Sequence, residues 1–123
     1  MDPRPVADLL ATLNEPIRLR MLNSMSRVPL SVADLAAILT TSEPVISDAI
    51  EALQALGVVR GFTVVPYVLY TLAPLTAHHE RLLRAALDAI RSDPGAQRDR
   101  AAARQRSRAR LDTRARSALM DAT

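Results

Sequence analysis

The sequence has no Cys, no Trp and no Lys, and only one Phe, two Tyr, three Gly and two His among 123 residues. Without Cys there is no disulfide framework, no thiolate metal site and no cysteine nucleophile. With so few aromatics, the core must be aliphatic. Three glycines leave no Gly-rich phosphate loop and no nucleophile elbow, and neither His has a neighbouring Ser or carboxylate in a triad-like arrangement. An enzyme is therefore not expected. Ser24, Ser26 and Ser31 are read as helix ends and caps. No apolar run approaches the ~18–20 residues that span a bilayer. The N-terminal MDPRPVADLL is too short and too polar for a signal peptide. A soluble cytoplasmic protein with no membrane partner is expected.

What is present is aliphatic and charged. Hydrophobic residues make up 49% of the chain, enough for one core. Charge is unevenly placed. Residues 1–92 hold eight Arg and nine acids, whereas residues 93–123 hold eight Arg and four acids, so the net +3 of the chain belongs to its C-terminal part. The high isoelectric point therefore does not describe a basic body.

Ser31 to Leu56, SVADLAAILTTSEPVISDAIEALQAL, organises the rest. Ser31 can cap a first helix, with Asp34 in its first turn, and Val32, Leu35, Ala36 and Leu39 recur at helical spacing. Thr40-Thr41-Ser42 separates it from a second helix that opens with Glu43 and Pro44, where proline costs least. Ile46, Ala49, Ile50, Leu53 and Leu56 form that helix's apolar face, and Gly57 stands where a C-terminal cap is needed. Two short helices on a tight turn are the pattern of a helix-turn-helix, although an ordinary αα-hairpin fits the same residues.

The flanking segments narrow the choice. Upstream, helices are expected over Pro5–Leu13 and Pro16–Ser26, followed by a connector or brief extended segment at residues 27–30. Downstream the periodicity changes: Val58–Phe62 and Tyr67–Leu72 read as two strands with a tip near residues 63–66, because Pro66 stops the pairing. A β-hairpin directly after a helix-turn-helix is a wing. Thr76 can cap a helix from Ala77 to about Arg91, whose Leu82, Leu83, Ala86, Leu87 and Ile90 form a broad apolar stripe. Ser92-Asp93-Pro94-Gly95 marks a boundary. Residues 96–123, rich in Ala and Arg with few large aliphatics, are expected to be an exposed helix or a partly disordered tail. The fold class is thus mainly α with a small β-hairpin: a winged helix-turn-helix of order α-α-α-α-β-β-α over residues 1–92, plus an Arg-rich C-terminal extension over residues 93–123.

With these residues in that order, the chain resembles the ArsR/SmtB family of bacterial winged-helix repressors. Leu9 to Leu22, LLATLNEPIRLRML, is similar to that family's L-ALGDPTRLRIL segment. Leu30 to Leu35, LSVADL, falls at its L-C-V-C-D-L, Ser42 to Leu53 at its S-Q-S-T-V-S-H-H-L-K-V-L, and Gly57 to Arg60 at its G-L-V-R. The resemblance covers roughly residues 6–92. It implies a homodimer formed through the first and last core helices, binding a near-palindromic double-stranded operator, and a repressor whose inducer is unknown. Carried over by position, the DNA-contacting residues are Ser42, Glu43, Ser47, Asp48 and Glu51 of the recognition helix, and Arg60 lies at the base of the wing. Arg18 matches the Arg of the T-R-L-R segment, and an intramolecular salt bridge is its expected role.

Three departures qualify what the resemblance implies. The family's metal-sensing cysteines would fall at Ser31 and Ala33, which cannot supply thiolates. His78, His79 and Glu80 stand together at a helix start, and neighbouring residues diverge by about 100°, so His78 and His79 do not easily share an ion within one chain; a site between two subunits stays open. No metal sensing and no cofactor are expected. The recognition helix is acidic: Asp and Glu can accept from cytosine N4 but repel phosphate. The wing tip, Thr63-Val64-Val65-Pro66-Tyr67, is apolar where family wings are usually basic, unless Val64 or Val65 folds back on the hairpin. An Arg-rich extension in contact with phosphates, and a merely solvated charged helix, both fit residues 96–123. The alternative function is a winged-helix protein–protein interaction module with little specific DNA binding.

Overall fold

A computed structural model describes residues 2–121. The outermost ends of the two expected segments, residue 1 and residues 122–123, lie outside the described residues. The described elements are α1 (Arg4–Leu13), α2 (Pro16–Ser24), α3 (Val32–Leu39), α4 (Glu43–Ala55), β1 (Val59–Val64), β2 (Tyr67–Leu72), α5 (Ala77–Ala89) and α6 (Pro94–Asp121). The expected order is found, with element ends moved by one or two residues, as fraying helix termini allow.

The core is aliphatic. Met21 and Leu22 of α2 and Met25 at its C-cap are fully buried against Leu9 of α1, Leu35 of α3, Ile46 and Leu53 of α4 and Val58 before β1. Helix α2 is thus the central rod, buried along most of its second half rather than on one stripe. Helix α5 sends Leu83 into this core and packs Leu82 and Leu87 partly against it.

Local chemistry sets the joints. Ser31 and Asp34 form a reciprocal capping box: Asp34 N–H donates to Ser31 Oγ at 3.1 Å, and Ser31 N–H donates to Asp34 Oδ2 at 2.9 Å. Helix α3 stops at Thr40, which takes a left-handed conformation (φ 55°), and Ser42 is extended before α4 begins. Ser42 and Thr76 occupy N-cap positions, but neither side chain makes a capping hydrogen bond. Beyond α4, Gly57 (φ 74°) closes the helix: its N–H donates to the Gln54 carbonyl, and Val58 N–H donates to the Leu53 carbonyl. That pair of bonds is a Schellman motif, which requires a residue at home in the left-handed region.

Strands β1 and β2 pair antiparallel from Val59↔Leu72 to Val64↔Tyr67. Leu30 and Tyr70 exchange backbone hydrogen bonds of 3.0 and 2.8 Å, so the connector before α3 is extended and ties the hairpin to the helix pair. Val65 at the tip is 78% exposed and does not fold back.

The C-terminal segment differs from the expectation of an exposed or partly disordered tail. It is a single 28-residue helix, about 42 Å long at 1.5 Å per residue. It docks along α2 and α3, burying Ala96, Asp99, Ala103 and Arg110. Two alanines contribute little transfer energy, about 1 kcal/mol per methyl. Charged contacts set the register instead. Arg20 Nε and Nη2 donate to Asp99 at 3.0 and 3.1 Å, a two-point contact that raises the Arg20 pKa. Asn23 Nδ2 donates to the Ala96 carbonyl at 3.1 Å, and Arg100 Nη1 donates to Asn23 Oδ1 at 2.8 Å. Arg106 Nε donates to Asp34 Oδ1 at 2.8 Å, and Arg110 pairs with Asp34 Oδ2. Arg18 has no ion pair among the described residues; two positions on, Arg20 takes the tertiary salt bridge expected there.

Candidate nucleic-acid interface

Helix α4 buries Ile46, Ala49, Ile50 and Leu53. With one face held in the core, the opposite face is fixed in orientation. That outer face carries Ser42, Glu43, Ser47, Asp48 and Glu51, all exposed. None has a side-chain hydrogen bond or ion pair among the described residues, so each is free to meet a ligand. The expected recognition-helix residues therefore share one solvent-facing surface. Arg60 is exposed on β1, paired with Thr71 at the base of the wing.

The electrostatics of this surface are acidic on α4 and apolar on the wing. Glu43, Asp48 and Glu51 have no basic neighbour within their own helix. Phe62, Val65 and Val68 are exposed apolar side chains of the hairpin.

Sequence reasoning missed the role of Asp34. This buried carboxylate caps α3 with one oxygen and receives Arg106 and Arg110 from α6. The Arg110 guanidinium also lies over the Tyr67 ring at 5.2 Å, tying α6 to the start of β2. Burial pushes the Arg110 pKa down from its ordinary value; the Asp34 carboxylate opposite favours the charged form. A signal was present in the sequence. Ala96, Ala103 and Arg110 recur every seven residues, with Asp99, Arg106 and Thr113 three further on in each case. This is a heptad seam written in small and charged residues rather than in leucine.

These contacts enclose a groove of about 520 Å³ where four elements meet. Its walls include Ser31 and Asp34 at the start of α3, Glu43 at the start of α4, Pro66 and Tyr67 of the wing, and Arg106, Arg110 and Thr113 of α6. The docked part of α6 thus ends beside the same edge that presents the first residue of α4.

Among the described residues, no three His, Cys, Asp or Glu side chains are grouped to hold a metal ion. His78 Nδ1 lies 2.8 Å from an Arg81 guanidinium nitrogen. No helix among the described residues is long and apolar enough to cross a membrane.

Comparison with known proteins agrees with this geometry. Residues 15–60, which span α2 through the start of β1, match the model of the bacterial regulatory protein, arsR family. Among solved structures, the transcriptional repressor BigR from Xylella fastidiosa superposes with a TM-score of 0.63 at 25% identity, covering 72% of this chain and 86% of its own. Reduced HlyU from Vibrio cholerae gives 0.62 at 22% identity, covering 70% and 88%. The homodimeric winged helix-turn-helix DNA-binding domain of Mb0332 from Mycobacterium bovis, a possible ArsR-family transcriptional regulator, gives 0.60 at 19% identity, covering 74% and 82%. No curated protein sequence matches the chain. The chain therefore has a winged helix-turn-helix fold, and its α2 to the start of β1 is similar in sequence to the arsR-family bacterial regulatory proteins.

Proposed function

We propose that the protein is a homodimeric DNA-binding repressor that reads a double-stranded operator through Ser42, Glu43, Ser47, Asp48 and Glu51, with Arg60 at the wing base, and that it acts without cysteine metal sensing. The observation that carries this reading is the outer face of α4. Its side chains are exposed and, among the described residues, unpaired, on a helix whose inner face is locked in the core. That is the arrangement by which a recognition helix presents side chains to a major groove. The hydroxyls of Ser42 and Ser47 can serve either base or phosphate. The three carboxylates can accept from cytosine N4 and reject a guanine or thymine acceptor at the same place.

Homodimerisation fits the exposed apolar side chains of α1, where Val6 is 38% and Leu10 51% accessible, and an α5 whose stripe is only partly used by its own core. The Mycobacterium bovis relative is described as homodimeric. In this reading residues 1–92 are the DNA-binding and dimerisation unit, residues 93–123 extend it, and the protein works in the cytoplasm.

Selection from a random duplex library, followed by anisotropy titration, tests the proposal. The expected result is an enriched near-palindromic sequence bound in a salt-dependent manner, with Glu51→Gln altering the preferred base. Absence of any enriched sequence would refute it. The second reading, a protein-interaction module, is favoured by one observation, the exposed apolar wing of Phe62, Val65 and Val68. It predicts that same negative selection result.

A further inference from the structure

The regulator reading leaves an electrostatic gap: α4 presents three acids to a polyanion, and phosphate attraction supplies much of the affinity of any DNA-binding protein. Helix α6 has the opposite balance, with eight Arg against three Asp. Its charges fall into two groups. Arg100, Arg106 and Arg110 are committed to the body, through Asn23 and the Arg91 carbonyl, Asp34, and Asp34 with Tyr67 respectively. Arg98, Arg104, Arg108, Arg114 and Arg116 are exposed and have no hydrogen bond or ion pair among the described residues.

Position distinguishes the free ones. The docked part of α6 ends at Thr113, which lines the groove shared with Glu43 of α4 and Pro66 of the wing turn. Arg114 and Arg116 follow directly on a continuous helix. They therefore follow at the edge formed by the start of α4 and the tip of the wing. Arg98 sits near the other end, sixteen residues away, or about 24 Å along the axis. That is several Debye lengths at ~0.15 M salt, where one length is about 8 Å. The Asp34–Arg106–Arg110–Tyr67 cluster holds the helix in this direction, so the projecting charges are presented by a fixed support rather than by a mobile tail.

We propose that the end of α6 is a second DNA-contacting element, in which Arg114 and Arg116 bind backbone phosphates flanking the site read by α4 and the wing. The proposal rests on the regulator reading. Guanidinium groups match phosphate oxygens in geometry as well as charge. Contacts of this kind position the protein without reading sequence, leaving selectivity to α4.

The test is an anisotropy titration of the full chain and of two variants against the selected duplex and a scrambled one, over a series of salt concentrations. R114Q/R116Q removes two phosphate contacts per subunit, four per bound dimer. Its plot of log K against log salt should be shallower by about 3.6, and its affinity at ~0.15 M salt about 900-fold weaker on both duplexes. R98Q should behave as the unaltered protein. An unchanged slope in R114Q/R116Q overturns the proposal. So does tighter binding, which would mean that the helix end obstructs DNA, or a loss in R98Q that is equal per Arg removed, which would mean a mere net-charge effect. If the unaltered protein binds no duplex, the regulator reading falls and takes this one with it; a bound duplex with an unchanged slope removes this one alone.

Discussion

Replacing Asp34 with Ala probes the single side chain on which the helix pair and α6 both depend. Three contributions follow from its contacts. Loss of the α3 capping box costs about 1 kcal/mol. The pair with Arg106, whose side chain is 43% exposed, is worth at most about 1 kcal/mol because solvent screens it. Arg110 differs: its side chain is only 8% exposed, and without Asp34 it is a buried charge with no counter-ion. Stranding such a charge costs about 3–5 kcal/mol if the structure holds. The protein can escape that cost by releasing the C-terminal half of α6, so the total loss is bounded by what docking of that half is worth. Urea denaturation should show D34A destabilised by about 3–4 kcal/mol, or by less with early hydrogen exchange at residues 103–113. The double variant D34A/R110L should lose less than D34A alone, since it leaves no charge stranded. A D34A protein within about 0.5 kcal/mol of the original and with α6 still protected from exchange would refute the assignment, because that is the ordinary effect of a surface substitution.

Two further outcomes test other parts of the structure. Gly57→Ala should destabilise by about 1 kcal/mol in the same assay, entirely through backbone strain: φ is +74° and an added Cβ meets nothing within 4 Å. No measurable loss would refute the Schellman closure of α4. Leu10→Glu should shift the protein from dimer to monomer in light scattering while leaving its circular dichroism unchanged, because Leu10 is 51% exposed outside the core. An undiminished dimer would remove α1 from the interface.

Much of the fold was legible in the residues because short-range chemistry dictates it. The Ser31–Asp34 cap, the Thr40-Thr41-Ser42 joint, Gly57 and the change of period after Val58 each act within a few residues. The outer face of α4 followed as well, because the positions of Ile46, Ile50 and Leu53 fix which side chains point away from the core. Arg18 and Arg20 show the limit. Both lie on α2 with the same chemistry, and only the path of α6 decides that Arg20 meets Asp99.

The sequence by itself determined a small aliphatic winged helix-turn-helix with an acidic outer face on α4, since hydrophobic period and turn chemistry are local properties. The tertiary structure alone decided where residues 94–121 lie. Apolar content marked them as unable to bury much, and they do bury little. Their docking depends on charge pairs formed across more than seventy residues of chain, Arg20 with Asp99 and Asp34 with Arg106 and Arg110. The seven-residue repeat marks which face of α6 docks, but which side chains it meets depends on where two distant segments come to lie, which no local pattern encodes.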